Sequence, residues 1–291
     1  MNISADIKTR MAADADLPEI QELYAIWGHA FVYLVNDQTF VAEVNGRIVG
    51  AVRLAFEEST FVVRSLFVLK KFRKQGIAKA LLEIVEAELG HSEAYCLLPA
   101  QQKHLFAHIG FNLITGFSAP DFLISRRDNL NEEKQEVIIM KRSFGVEVGP
   151  LPAKHLPLAM DLIREFELPE ARELRENDVR GIYSKIVAAG GAVLGAYRGE
   201  KIVGTCTLNV CANLSWSGRP YGIVENIIVT RSERNKGIGK SLLLFARRMA
   251  ESKNCYKVAL MAEQIGPENA SFFRAAGFTD DQGSYQRRAS V

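Results

Sequence analysis

The sequence predicts a mixed α/β protein in which one unit occurs twice, each unit a mixed β-sheet flanked by helices. Three observations predict it. Short segments recur in the same order in the two halves of the 291-residue chain. In each half a β-branched strand runs into an Arg-x-x-Gly turn and then an amphipathic helix. The composition, 48% hydrophobic and 24% charged, supplies a core of ordinary size, and the length suits two domains.

The repeats set the frame. Val68 to Arg73 recurs as Val229 to Arg234, and "NGRIVG" at 45–50 recurs as "GEKIVG" at 199–204. "DLPEI" at Asp16 recurs as "HLPLA" at His155, and "FAHIGF" at 106–111 as "FRAAGF" at 273–278. The spacing between matching segments widens along the chain, so the second copy carries insertions. Gly and Pro in "RSFGVEVGPLP" break the pattern between the copies, dividing the chain into 1–144 and 145–291.

Each copy then reads in order. Leu17–Trp27 and Leu156–Phe166 have apolar residues at helical spacing. "TFVAEV" and "RIVGAVRL" form two strands around Asn45-Gly46, and "VLGAY" and "KIVGTCTLNV" repeat them around Arg198-Gly199. "VVRSLFV" and "VENIIV" are β-branched strands that enter the Arg-x-x-Gly turn. The helices "IAKALLEIVEAEL" and "IGKSLLLFARRMA" follow, then the strands "AYCLL" and "KVALMA", then a short helix ending in Gly-Phe and a last strand. The order β-α-β-β-β-α-β-α-β gives a mixed sheet flanked by helices. Two inserted stretches in the second copy, "ELPEARELRENDVRG" and "NVCANLSWSGRPYG", read as loops.

The totals exclude several classes of partner. A net charge of +2 argues against a nucleic acid or an anionic membrane surface. The longest apolar run, "VAAGGAVLGAY", is too short to span a bilayer, and "MNISADIKTR" has no signal-peptide core. Cys96, Cys206, Cys211 and Cys255 form no C-x-x-C pair and read as buried thiols of a reducing cytoplasm. His104 and His108 stand at i, i+4 without a third ligand nearby, so packing or surface roles are expected and no metal.

"RNKGIGKS" at 234–241 looks like the tail of a phosphate-binding P-loop, but Arg234 stands where the first glycine belongs. "RKQGIAKA" at 73–80 repeats the shared part, R-x-x-G-x-[GA]-K. Gly237 and Gly239 allow close backbone approach at a helix start, where unpaired N–H groups and the dipole favour anions. Arg234, Lys236 and Lys240 add positive charge. Such a corner suits a pyrophosphate.

The R-x-x-G-x-[GA] turn after an apolar strand, with F-[FY]-x-x-x-G-F downstream, resembles the GNAT acyl-CoA N-acyltransferase superfamily, once in each half. The resemblance implies a partly splayed sheet, with acetyl-CoA as co-substrate. It implies pyrophosphate binding by the segment Asn235, Lys236, Gly237, Ile238, Gly239, Lys240 and Ser241 beside Arg234, and a pantetheine arm along Ile227, Ile228 and Val229. A backbone N–H near Val229 would polarise the thioester carbonyl. Phe67, Val68, Arg73, Gly76 and Ala78 are the first-half counterparts. Asn269 falls where related enzymes bond the acyl-CoA arm, while Phe273 and Phe106 replace the family's usual tyrosine acid.

Acyl transfer needs a neutral amine, so a general base is useful. Glu225 opens "ENIIV" where many family members carry one, and Arg64 takes the matching first-half position. The second half therefore reads as the working copy and the first as degenerate. The inserted "NVCANLSWSGRPYG" offers Asn213, Trp216, Arg219 and Tyr221 to an acceptor, with Arg219 suited to an anionic group. The expected reaction is acetyl transfer to a primary amine of a small molecule. Acetylation of a protein lysine or N-terminus, and acyl-CoA sensing without turnover, stay open, as does the oligomeric state.

Overall fold

A computed structural model of the protein describes residues 7–28, 37–114, 118–132, 136–165, 173–260 and 267–279. The first half runs β1 (Ile7–Met11), α1 (Leu17–Trp27), β2 (Asp37–Val44), β3 (Arg47–Glu57), β4 (Thr60–Val68), α2 (Ile77–Leu89) and β5 (Ala94–Pro99). It continues with α3 (Lys103–Ala107), β6 (Phe111–Leu113), α4 (Asp121–Glu132) and β7 (Val137–Arg142). The strands form one sheet in the order β1-β2-β3-β4-β5-β7-β6, antiparallel except for β4 beside β5. The expected order ended at one strand after α3, and the structure adds α4 and β7. Strand β7 inserts between β5 and β6, a pairing that local pattern does not reveal.

The second half runs β8 (Glu147–Pro150), α5 (Leu156–Arg164), α6 (Glu176–Ala188), β9 (Ala192–Arg198), β10 (Lys201–Cys211) and β11 (Tyr221–Val229). Then come α7 (Ile238–Ser252), β12 (Val258–Leu260) and α8 (Pro267–Ala275). Its sheet order is β12-β11-β10-β9-β8, with only β11 and β12 parallel. The last strand expected here lies outside the described residues. Among those described, no helix is long and apolar enough to cross a membrane.

Part of the inserted "ELPEARELRENDVRG" is helical rather than loop, since α6 starts at Glu176. Glu176 and Asp178 sit in its first turn, where the dipole favours acids, and Arg180 bonds Glu176 one turn away. Tyr183 then anchors the helix by donating its hydroxyl to Leu151 O at 2.9 Å.

The two sheets share one core. Phe245 of α7 meets Phe56 and Phe61 of the first half edge-on, at 5.1 and 6.2 Å between ring centroids. Buried Arg248 donates to Leu54 O at 3.3 Å and to Glu251 at 2.7 Å. Burial pulls its pKa down and the Glu251 carboxylate opposes that. Helix α7 thus packs on its own sheet and on β3.

Candidate active site

The two Arg-x-x-Gly turns have the same build. Thr230 N–H bonds Val203 O at 3.0 Å, as Leu69 N–H bonds Val49 O at 2.9 Å. Arg234 Nε donates to Val229 O at 3.1 Å and Arg73 Nε to Val68 O at 2.9 Å. Asn235 (φ 61°) and Gly237 (φ 77°) take left-handed conformations, as do Lys74 and Gly76. The first helical N–H with a partner inside α7 is that of Ser241, to Gly237 O at 3.0 Å. The amides just before it have no acceptor in the helix and form an anion-binding corner. Among the described residues the Ser241 hydroxyl, buried at the same corner, has no hydrogen-bond partner.

The side-chain charges expected to assist there also make contacts of their own. Arg234 and Arg73 clamp the strand end through Nε. Lys236 lies 3.4 Å from Glu233, a carboxyl held below its usual range first by Arg198. Lys240 Nζ donates to Ala87 O at 2.9 Å, capping the last turn of α2.

The first half covers the second turn. A Cβ on Gly237 would collide with His91 Nδ1, and one on Gly239 would come within 2.9 Å of Phe272 Cζ. At Gly76 the same probe meets nothing within 4 Å. Phe272, not Phe273, is thus the α8 ring that packs on the corner. Phe273 stands beside it at 5.2 Å, and Phe106 is buried edge-on against Phe111. Ile238 is buried behind the turn, Ala78 takes the place of Gly239 in the first half, and Asn269 lies on α8.

Beyond the turn, β11 lies beside β12, and among the described residues their parallel register runs to Val224 opposite Leu260, the last residue described in β12. Asn226 (φ 52°) forms a bulge where the β10 register slips between Thr205 and Thr207. Gly222 faces α7, where a Cβ would lie 3.2 Å from Ala250, so Glu225 faces the opposite side. There half-buried Glu225 accepts from Asn209 Nδ2 at 3.2 Å. Ile227, Ile228 and Val229 continue as a half-buried ledge toward the turn.

The first half has a splay between its parallel strands and keeps the bulge, but closes both. Its β4–β5 register stops at Val63, and Ser65 (φ 55°) makes the bulge. Arg64, at the place of Glu225, bonds both oxygens of Asp37 at 2.7 and 3.0 Å and also pairs with Glu57. Arg53 pairs with Asp37, and Arg126 with Glu57 at 2.8 Å. Tyr24 donates its hydroxyl to Ser65 O at 2.7 Å, and burial pushes that phenol's pKa up, keeping the proton in place. Trp27 stacks on Phe67 at 5.2 Å, and Arg73 Cζ lies 5.7 Å from the centroid of the same ring. Arg64→Ala is expected to leave amine-dependent turnover of the folded protein unchanged. It should lower unfolding stability by about 2–3 kcal/mol, read by urea titration, because Asp37 and Glu57 lose a charged hydrogen-bond donor.

The residues expected to recognise the acceptor lie at the β10–β11 connection and the start of β11. Tyr221 is four strand positions from Glu225, roughly 13 Å. Trp216 stacks on Tyr256 at 5.2 Å, and Tyr221 meets the same ring edge-on at 6.5 Å. Arg219 donates to Asn254 O at 3.2 Å and Cys255 O at 3.3 Å, while Asn213 bonds Ser215 O and Arg219 O. This group ties the β10–β11 hairpin to the segment before β12. Arg219→Ala is accordingly expected to cost about 1 kcal/mol of stability and to change KM equally for anionic and neutral amines; steady-state kinetics on a matched pair checks it.

Sequence reasoning gave no role to Asn209 or His91 and did not foresee the bulge. An asparagine after the strand glutamate was the available signal for the bulge, since Asn tolerates left-handed backbone. The histidine pair is at the surface, with His108 Nε2 3.7 Å from Glu83. Cys96, Cys206 and Cys255 are buried and free, and burial pushes the Cys206 thiol up to about 12.

Comparison with known proteins bears on this geometry. Residues 35–113 match a family described as an acetyltransferase (GNAT) domain, and residues 158–278 match the acetyltransferase (GNAT) family. The chain is 32% identical over 130 residues to a peptidyl-lysine N-acetyltransferase, YiaC, of Escherichia coli (strain K12), covering 38% of this chain and 84% of that one. It is 32% identical over 78 residues to a glucosamine 6-phosphate N-acetyltransferase of Trypanosoma brucei brucei, covering 27% of this chain. It spans 51% of that relative's length. A solved putative acetyltransferase from Agrobacterium tumefaciens str. C58 is 26% identical, with a TM-score of 0.45 over 49% of this chain and 99% of its own.

Proposed function

The chain belongs to the acetyltransferase (GNAT) family, with its domain present twice, and from that premise we propose that residues 145–291 move an acetyl group from acetyl-CoA to a primary amine of a small molecule. Residues 1–144 are the non-catalytic partner domain. The observation that carries this reading is the contrast at one strand position. Glu225 stands half-buried on β11, held by Asn209 beside a bulge, whereas Arg64 is locked between Asp37 and Glu57.

The second turn fits a pyrophosphate, with left-handed Asn235 and Gly237, unpaired helix-start amides, and the orphan Ser241 hydroxyl. The pantetheine arm lies along Ile227 to Val229, the half-buried end of β11 that leads to the turn. The acceptor arrives as an ammonium, and Glu225 takes one proton from it, directly or through a water. The freed amine attacks the thioester carbonyl, forming the C–N bond; the C–S bond then breaks. The remaining excess proton leaves nitrogen and ends on the thiolate or in solvent. Phe273 has no hydroxyl to give, and a thiol pKa near 8.5 makes the thiolate a tolerable leaving group.

The glucosamine 6-phosphate relative supports a small amine as acceptor. The peptidyl-lysine relative, matched over 84% of its length, favours protein lysine as the second reading. The deciding assay follows thiol release from acetyl-CoA by the full chain against glucosamine 6-phosphate, an aminoglycoside and an N-blocked lysine peptide. Release with a small amine and none with the peptide is the expected result. Preference for the peptide overturns the small-molecule reading, and no release with any amine makes the protein a binding module.

A further inference from the structure

The turn at Gly237 has first-half neighbours to which the acetyl-transfer reading gives no part. His91, in the turn after α2, is exposed to solvent, yet its Nδ1 stands where a Cβ on Gly237 would go. Gly90, just before it, lies beside Lys240, whose Cδ would be 3.5 Å from an added Cβ. With Lys240 Nζ on Ala87 O, the segment 87–91 runs along the first turn of α7, from its N-cap Gly237 to its third residue. At Gly76 of the first half the same side is open among the described residues.

Phe144 stands on the far side of His91, in the connection between β7 and β8. The two ring centroids are 4.8 Å apart, with the planes at 76°. The Arg142 guanidinium, itself buried, lies 4.4 Å from the Phe144 centroid, while Phe144 remains 43% exposed. The neighbouring residue, Gly145, adjoins Arg198, since a Cβ there would lie 3.4 Å from Arg198 Nη1. Arg198 and Lys236 both pair with Glu233, at 2.9 and 3.4 Å, so two exposed cations share one carboxylate. Outward from the turn, the order is therefore an imidazole, a phenyl ring half in water, and a local excess of positive charge.

We propose that His91 and Phe144 of the first half hold the adenosine end of the acetyl-CoA bound at the second half's turn. The proposal rests on the placement of acetyl-CoA at residues 235–241. In CoA the pyrophosphate leads directly to a phosphorylated ribose carrying adenine, so a surface next to the pyrophosphate corner meets a flat purine and an anion. The purine packs on the His91–Phe144 pair, since any base can stack on an aromatic side chain. The excess charge at Arg198 and Lys236 suits the phosphorylated ribose. The first half thus helps to bind the cofactor without supplying an acid or a base.

The test uses the full chain with acetyl-CoA and with S-acetyl-4′-phosphopantetheine, which ends before the adenosine. Phe144→Leu keeps an apolar cover over Arg142 but removes the ring. It is expected to raise the calorimetric Kd for acetyl-CoA by roughly 5–100-fold, the range for losing one base stack. The Kd for the truncated donor should stay as in the wild type. Phe144→Tyr, which restores a ring, should bind acetyl-CoA as the wild type does, and His91→Ala should again weaken acetyl-CoA alone. A purely structural Phe144 would change both donors alike. Unchanged acetyl-CoA affinity in Phe144→Leu, an equal loss for both donors, or equal wild-type affinity for the two overturns the proposal. Those results leave the acetyl-transfer reading as it was, whereas a wild-type chain that binds no acetyl-CoA overturns both.

Discussion

Glu225→Gln is expected to lower kcat for an accepted amine by roughly 10²–10⁴, the usual scale for removing a general base. The substitution keeps the shape and the hydrogen-bonding reach toward Asn209 but removes the lone pairs that take the ammonium proton. Acetyl-CoA affinity should change little, because Glu225 lies on the far side of the bulge from the turn at Gly237. Raising the pH deprotonates the amine in solution, so part of the lost rate should return in alkaline assays. Stopped-flow thiol release with parallel calorimetry of acetyl-CoA binding separates the two parameters. Full activity in the Gln variant from pH 6 to pH 9 (about three decades of proton activity around the ordinary range) would reduce Glu225 to a strand residue.

Gly237→Val is expected to weaken acetyl-CoA binding by roughly 10–100-fold, the cost of losing one amide–phosphate bond of about 1.5–3 kcal/mol. Two effects combine at this residue. Its φ of 77° strains any Cβ, and the added carbon strikes His91 of the first half. His91→Ala in the same chain removes the collision and leaves the strain, so it should restore thermal stability more than affinity. Gly76→Val is the control, since nothing lies within 4 Å there. If Gly76→Val weakens acetyl-CoA binding as much as Gly237→Val, the assignment of the cofactor to the second half is wrong.

What the sequence made legible was short-ranged. Asn45 and Gly46 both have positive φ, at 53° and 74°, and such a pair marks a hairpin by composition alone. The strand-turn-helix unit is equally local, because β-branched residues, two glycines and an amphipathic run lie within one stretch. The Glu225–Arg64 contrast needed only the repeat. What stayed hidden depends on residues far apart in the chain. The bond from Lys240 to Ala87 O, and those from Arg219 to the carbonyls of Asn254 and Cys255, join segments that no local pattern connects. Helix α6 was obscured for another reason, since it buries no residue fully and so shows little apolar stripe.

Helix α7 carries a consequence for how such a chain can evolve. A duplicated module that gives up its chemistry is ordinarily free to erode and be deleted. Here Phe245 lies against Phe56 and Phe61, and buried Arg248 ends on the carbonyl of Leu54, so the helix that opens at one anion corner has its flank inside the neighbouring module. Deleting that module would strand an apolar face and a desolvated guanidinium in water-facing positions at once. The two copies are therefore entrenched: sequence drift in either is filtered through the fit of the other, so each is kept for its shape as well as for any chemistry.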